Sequence, residues 1–220
     1  MSKTNKDREF LLLLKDPCHP LLKKLRTKAN GTYFHSLLVS ELAAGAAIQF
    51  KQADPLLAQI WWMYHDIWKI SEPEAYAENQ EDWNYPFKPE IIITHVEKSI
   101  ELAKAFHLPE KIQRFMSTHH WTQQPPQIKN NASNTYPESF RPQTIEETLV
   151  MLADSCEAAV RSLTDRSTEN IKERVDNVFK DKIQQDQLRD SVLIHDNLED
   201  VKDEFLNVFN SIYHRRHATE

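Results

Sequence analysis

Glycine occurs only twice in these 220 residues, at Gly31 and Gly45. Tight hairpin turns and strand bulges draw on glycine for backbone conformations of positive φ, so a supply this small argues against a turn-rich β fold. Helix is what remains, and the apolar pattern agrees with it. Leu37, Leu38, Leu42 and Ala46 recur at helical spacing within 34–49, and no segment alternates with period two over a useful length. The expectation is an all-α domain, a bundle of roughly seven to nine helices.

Prolines and polar caps divide the chain. Helices are predicted over 7–15 and 21–28, punctuated by Pro17 and Pro20, with Asn30-Gly31-Thr32 as a turn leading into the next. Asp54-Pro55 is an N-cap followed by a first-turn proline, opening a helix to about Tyr64 that turns Leu56, Leu57, Ile60 and Trp61 inward. Further helices are expected over 90–106, 109–119, 144–163, 167–185 and 197–213, with Thr144 and Glu147 forming a capping box. The stretches 71–89 and 121–142 read as long loops, and a loop as long as 121–142 in a compact domain commonly acts as a lid or binding segment.

Charge and cysteine usage narrow the function. A net charge of −6 gives no support for a surface that coats a nucleic acid polymer. A small anionic substrate stays compatible with it, because a bound metal brings its own positive charge. Cys18 and Cys156 form no CxxC pair and read as free thiols of a reducing cytosol. The most apolar start, Phe10 to Leu14, is closed by Lys15 and Asp16 and lacks a cleavage signature, so it is neither a signal peptide nor a membrane span.

The chemistry lies where ionisable residues interrupt apolar helical faces. His65-Asp66 ends the helix of Ile60, Trp61 and Tyr64. His95 falls within Ile91-Ile92-Ile93-Thr94-His95-Val96, His119-His120 follows Ile112, Phe115 and Met116, and Asp154 follows Val150-Met151-Leu152-Ala153. His35 begins the helix after the Gly31-Thr32 turn. Each taken alone is compatible with a satisfied core polar group. Together they favour one shared metal centre, because buried charges are normally paired or bind metals. Histidine with carboxylate and without cysteine disfavours a structural zinc site and suits manganese or iron. Five imidazoles and two carboxylates exceed the needs of one ion, whereas two divalent ions bridged by one carboxylate use them all. Paired ions about 3.5–4 Å apart are the usual device for phosphoester hydrolysis.

These residues in this order resemble the HD-domain phosphohydrolases. Gly31-Thr32-Tyr33-Phe34-His35-Ser36, His65-Asp66-Ile67-Trp68-Lys69, Glu78-Asn79-Gln80, Thr94-His95-Val96, His119-His120 and Met151-Leu152-Ala153-Asp154-Ser155-Cys156-Glu157-Ala158-Ala159 are similar to the cytoplasmic HD domain of the seven-transmembrane-receptor HD proteins, phosphodiesterases of cyclic di-AMP. The resemblance runs from about Asp16 to Tyr213, and implies a helical lead-in over 1–29 followed by the HD phosphohydrolase domain over 30–220. It implies one metal held by His35, His65, Asp66 and Asp154 and another by Asp66, His95, His119 and His120, with Asp66 bridging and catalytic. Lys69 matches a position suited to a substrate phosphate, the alternative being a solvated surface lysine.

Two tryptophans depart from the family pattern: Trp68 stands where His-Asp-x-Gly-Lys has glycine, and Trp121 follows the paired histidines where glycine is common. They stack on a base, narrow the pocket, or pack against the long loops. Arg161 either lies near the phosphates or forms a surface salt bridge. The membrane part of such proteins is absent from this sequence, which is therefore expected to be a cytoplasmic piece or a freestanding relative. The implied activity is hydrolysis of cyclic di-AMP to the linear dinucleotide. A binding sensor that has lost turnover, and an HD hydrolase of cyclic di-GMP or another ester, stay open as alternatives.

Overall fold

Helix boundaries follow the caps written into the chain. The computed structural model describes residues 3–80, 89–118, 142–193 and 195–214. Among the described residues there are nine α-helices: α1 (Lys3–Lys15), α2 (Pro20–Lys28), α3 (Asn30–Ala47), α4 (Pro55–Tyr64), α5 (Pro89–Ala105), α6 (Glu110–Thr118), α7 (Ile145–Arg161), α8 (Thr168–Gln184) and α9 (His195–His214). No strand occurs among them, as the glycine deficit and the helical spacing predict. Asp54 accepts from the backbone N–H groups of Leu56 and Leu57, Thr144 and Glu147 form their capping box, and Ser167 caps α8. No helix is long and apolar enough to cross a membrane among the described residues. Cys18 and Cys156 are both free thiols.

The core forms around α4, which buries Leu57, Ala58, Ile60, Trp61, Trp62, Met63 and Tyr64. A helix apolar all round is one enclosed by neighbours, and α1, α3, α6 and α7 pack on it. Trp61 stacks on Phe115 of α6 at 4.8 Å, and Trp62 meets the same ring edge-on at 5.9 Å. The Tyr64 hydroxyl donates to the Leu14 carbonyl at 2.7 Å, so this large side chain is buried without a lost hydrogen bond. Leu14, Leu21 and Leu22 belong to the same cluster as α4 and α7, so α1 and α2 share the core of the rest of the chain. Removal of each such apolar side chain from water contributes roughly 1.5–3 kcal/mol.

The shortage of glycine shows at helix ends. His107 and Asp186 have φ of 53° and 56°. At each, the backbone bonds are those of a Schellman ending: His107 N–H to Lys104 and Leu108 N–H to Ala103, Asp186 N–H to Ile183 and Gln187 N–H to Lys182. Left-handed backbone costs a residue with a Cβ about 1–2 kcal/mol, offset in part by the extra chain entropy that glycine loses on folding. His107→Gly and Asp186→Gly are therefore each expected to raise stability by roughly 0.5–1 kcal/mol. Thermal or urea denaturation reads this, and a lowered midpoint in both variants would refute it.

Asn30-Gly31-Thr32 is not a separate turn but the first turn of α3. Of the expected loop 71–89, residues 81–88 lie outside the described residues, and 71–80 are less irregular than Pro73 suggests. A 3-10 turn Ile67–Ile70 is followed by two more, Pro73–Ala75 and Ala77–Asn79, the last of which folds onto α3. A Cβ on Gly31 would lie 1.7 Å from the carbonyl oxygen of Glu78, so only glycine permits this contact. Asn79 then accepts from the Thr32 N–H at 3.0 Å, and its amide donates to the Thr32 hydroxyl at 2.8 Å. One of the unpaired donors of the first turn of α3 is satisfied from outside the helix.

Candidate metal centre

Asp66 stands where α4 ends and the 3-10 turn Ile67–Ile70 begins. Side chains three apart eclipse in a 3-10 turn, and Lys69 accordingly returns its ammonium to within 2.7 Å of Asp66 Oδ2. The same ammonium lies 2.7 Å from Glu78 Oε1 and 4.7 Å from the centre of the Tyr76 ring. Glu78 also accepts from the Thr32 hydroxyl at 3.0 Å. The Lys69 side chain is 12% exposed, so it is not a solvated surface lysine.

His65, at the C-cap of α4, has Nδ1 2.8 Å from the Trp62 carbonyl. A carbonyl only accepts, so Nδ1 carries a hydrogen, and Nε2 faces Asp66 Oδ2, 2.9 Å away. His95 reaches the same carboxylate from α5, with Nε2 3.6 Å from Asp66 Oδ1. From α3, His35 places Nε2 3.1 Å from Asp154 Oδ1 and Nδ1 2.5 Å from Glu157 Oε2, both carboxylates coming from α7.

Burial alone would raise the Asp66 pKa, but His65, then Lys69, and His95 hold its carboxyl well below the usual carboxylate range. Burial would likewise strip the proton from His35, yet Glu157 foremost and then Asp154 hold its pKa up to about 10. Burial disfavours the Glu78 anion too, but Lys69 foremost holds its pKa at about 2. This is a pocket of anionic oxygens that favours a cation among them.

The donor set fits a divalent ion. One ligand atom each from His35, His65 and Asp66 lie within 4.8 Å of one another, all three residues being buried. Two donors each about 2.1 Å from one ion and at right angles stand about 3.0 Å apart. The His35–Asp154 and His65–Asp66 separations, 3.1 and 2.9 Å, are of that size.

The family model of the HD domain matches residues 32–159, more than half of the chain and every site residue just described. The chain belongs to the HD domain family. Curated relatives include the cyclic-di-AMP phosphodiesterase PgpH of Listeria monocytogenes, 33% identical over 94% of this chain, and that of Bacillus subtilis, 31% identical over 94%. This HD chain spans 31% of the length of each. Among solved structures, the HD domain of the Listeria phosphodiesterase PgpH matches with a TM-score of 0.82 at 32% identity, covering 89% of this chain and 100% of that one. The same domain crystallised in complex with cyclic di-AMP matches with a TM-score of 0.79 at 32% identity, covering 89% of this chain and 98% of that one. The family implies divalent metal binding.

Of the expected ligands, the fold brings His35, His65, Asp66, His95 and Asp154 to one site of the HD domain. His119, His120 and Trp121 lie outside the described residues. Trp68 leans on α5: its backbone N–H donates to Ser99 at 3.3 Å, and Lys98 sits over its ring at 6.0 Å. Arg161 is engaged through Nε with both oxygens of Glu157 at 3.2 Å, the salt-bridge alternative for this residue. Two carboxylates had no role assigned from sequence. Glu157 carries the same signal as Asp154, a charge on the buried face of α7 one turn on. Glu78 stood only within the family motif Glu78-Asn79-Gln80, because its partners Thr32 and Lys69 are met only through the docking of 72–80.

Proposed function

We propose that this HD domain is a metal-dependent phosphodiesterase that hydrolyses cyclic di-AMP to the linear dinucleotide. In this reading two divalent ions, manganese or iron, are held by His35, His65, Asp66 and Asp154 and by Asp66, His95, His119 and His120. The observation that carries it is the cluster of His35, His65, Asp66, His95 and Asp154 in a chain that matches a phosphodiesterase HD domain crystallised with cyclic di-AMP. When bound, such ions stabilise the negative charge that develops on phosphodiester oxygens.

The chain's own residues prepare that chemistry. Lys69 keeps Asp66 ionised and adds a fixed positive charge one carboxylate away from the site of the phosphate. The Trp62 carbonyl accepts from Nδ1 of His65 and so holds the ring with Nε2 as the nitrogen that faces the site. Glu78 balances the lysine, so that neither member of the buried pair is left without a counter-charge.

The test is to incubate the protein with cyclic di-AMP and, separately, cyclic di-GMP under Mn²⁺ and under reduced iron, and to follow linear products by chromatography. Linearisation of cyclic di-AMP that stops with a chelator and returns with metal is the expected result. Tight binding without turnover would make the protein a sensor, and preferred cleavage of cyclic di-GMP would displace the adenine dinucleotide as substrate.

A further inference from the structure

On the reading of His35 and Asp154 as ligands of one metal, we propose that Glu157 is the positioning residue that aims His35 at that metal, and that Arg161 acts by clamping Glu157. Both ring nitrogens of His35 face a carboxylate: Nε2 meets Asp154 at 3.1 Å and Nδ1 meets Glu157 at 2.5 Å. Only one of these carboxylates can share an ion with the ring, because the two nitrogens point to opposite sides. The surroundings decide which. Glu157 already has its charge matched by the Arg161 guanidinium, whose Nε contacts both of its oxygens, and it is 3% exposed. Asp154 is the carboxylate that this reading gives to the metal, and one ring nitrogen of His35 lies within 4.8 Å of a ligand atom of both His65 and Asp66. Glu157 is therefore the rear acceptor and Asp154 the co-ligand.

The physical consequence is a fixed tautomer and a fixed ring plane. A carboxylate behind Nδ1 retains the hydrogen there, which leaves the Nε2 lone pair for the metal and raises its basicity. The same logic holds His65, where a backbone carbonyl takes the rear position. His35 lies in the second turn of α3, where the carbonyls serve the helix's own hydrogen bonds. Its acceptor has to come from a neighbouring helix. Asp154 and Glu157 stand three apart on α7, the spacing that puts two side chains on one helix face. One turn of α7 thus supplies both the ligand and the residue that orients its partner.

The experiment is calorimetric titration of Mn²⁺ into metal-stripped parent, Glu157→Ala, Glu157→Gln and Arg161→Ala proteins, with circular dichroism of each. Glu157→Ala is expected to weaken one class of Mn²⁺ site by about 10–100-fold and to leave the other unchanged. Glu157→Gln keeps the shape and an acceptor oxygen without the charge, and falls between that variant and the parent. Arg161→Ala, on a side chain 32% exposed, keeps the fold and loses a smaller factor at the same site. Unchanged affinity in folded Glu157→Gln and Arg161→Ala, or equal weakening of both sites, would overturn the proposal and make Glu157 a strut between α3 and α7. A parent protein that takes up no Mn²⁺ would instead overturn the metal reading itself.

Discussion

Asp66→Ala is expected to lower hydrolysis of cyclic di-AMP at least about a thousandfold, the equivalent of the several kcal/mol that metal ions contribute to a phosphoryl transition state. The side chain is 3% exposed and stands between His65, His95 and Lys69. In the proposed function it is the one residue shared by both ions, so its loss removes a donor from each. It also leaves the Lys69 ammonium buried with Glu78 as its remaining carboxylate. Metal content by plasma mass spectrometry should fall together with the rate. Circular dichroism separates this outcome from loss of the fold, and Asp66→Asn, which keeps the shape, should share the defect. Turnover at the parent rate in a folded variant would end the two-metal account.

The second large effect is structural and lies away from the ligands. Gly31→Ala should destabilise the protein by about 3 kcal/mol, through overpacking and the hydrogen bonds lost when the neighbour retreats. For a chain of this size that corresponds to a fall in Tm of roughly 6–12 °C. The added Cβ meets backbone, the Glu78 carbonyl, which cannot swing aside as a side chain does. Moving it disturbs Thr32–Glu78, Asn79–Thr32 and Lys69–Glu78 together, and with them the lysine that holds Asp66. Activity should therefore fall along with stability.

Gly45 supplies the control. A Cβ there meets only the Glu204 carboxylate tip at 2.9 Å, the far end of a flexible side chain. Alanine inside a helix is favoured over glycine by about 1 kcal/mol, so Gly45→Ala should be neutral or stabilising. Opposite signs for the two substitutions are the expected denaturation result. Equal effects would mean that the Gly31–Glu78 approach does not matter.

Much of the framework was legible in residue order. Asp54-Pro55, Thr144 with Glu147, and Ser167 mark helix starts through bonds reaching two or three residues, and such signals are complete within the sequence. The sites of His35, His65, Asp66, His95 and Asp154 were visible as polar breaks in apolar helical faces, because burying an ionisable group needs a reason that periodicity alone exposes. Residue types with that order also pointed to the family.

What escaped were the particular side-chain and backbone contacts between segments distant in the chain. Asn30-Gly31-Thr32 reads as a turn because glycine and asparagine favour turns, whereas the space beside Gly31 is filled by Glu78, 47 residues on. Lys69 looks like a surface lysine until 72–80 folds over it. The order of residues placed His35 and Asp154 among the polar groups of the core. Only the packing of α3 against α7, across 122 residues of chain, decides that Nε2 faces Asp154 and Nδ1 faces Glu157. Caps and periodicity act over one helical turn. The direction in which a ring nitrogen points depends on where another helix lies, and that is a property of the assembled core.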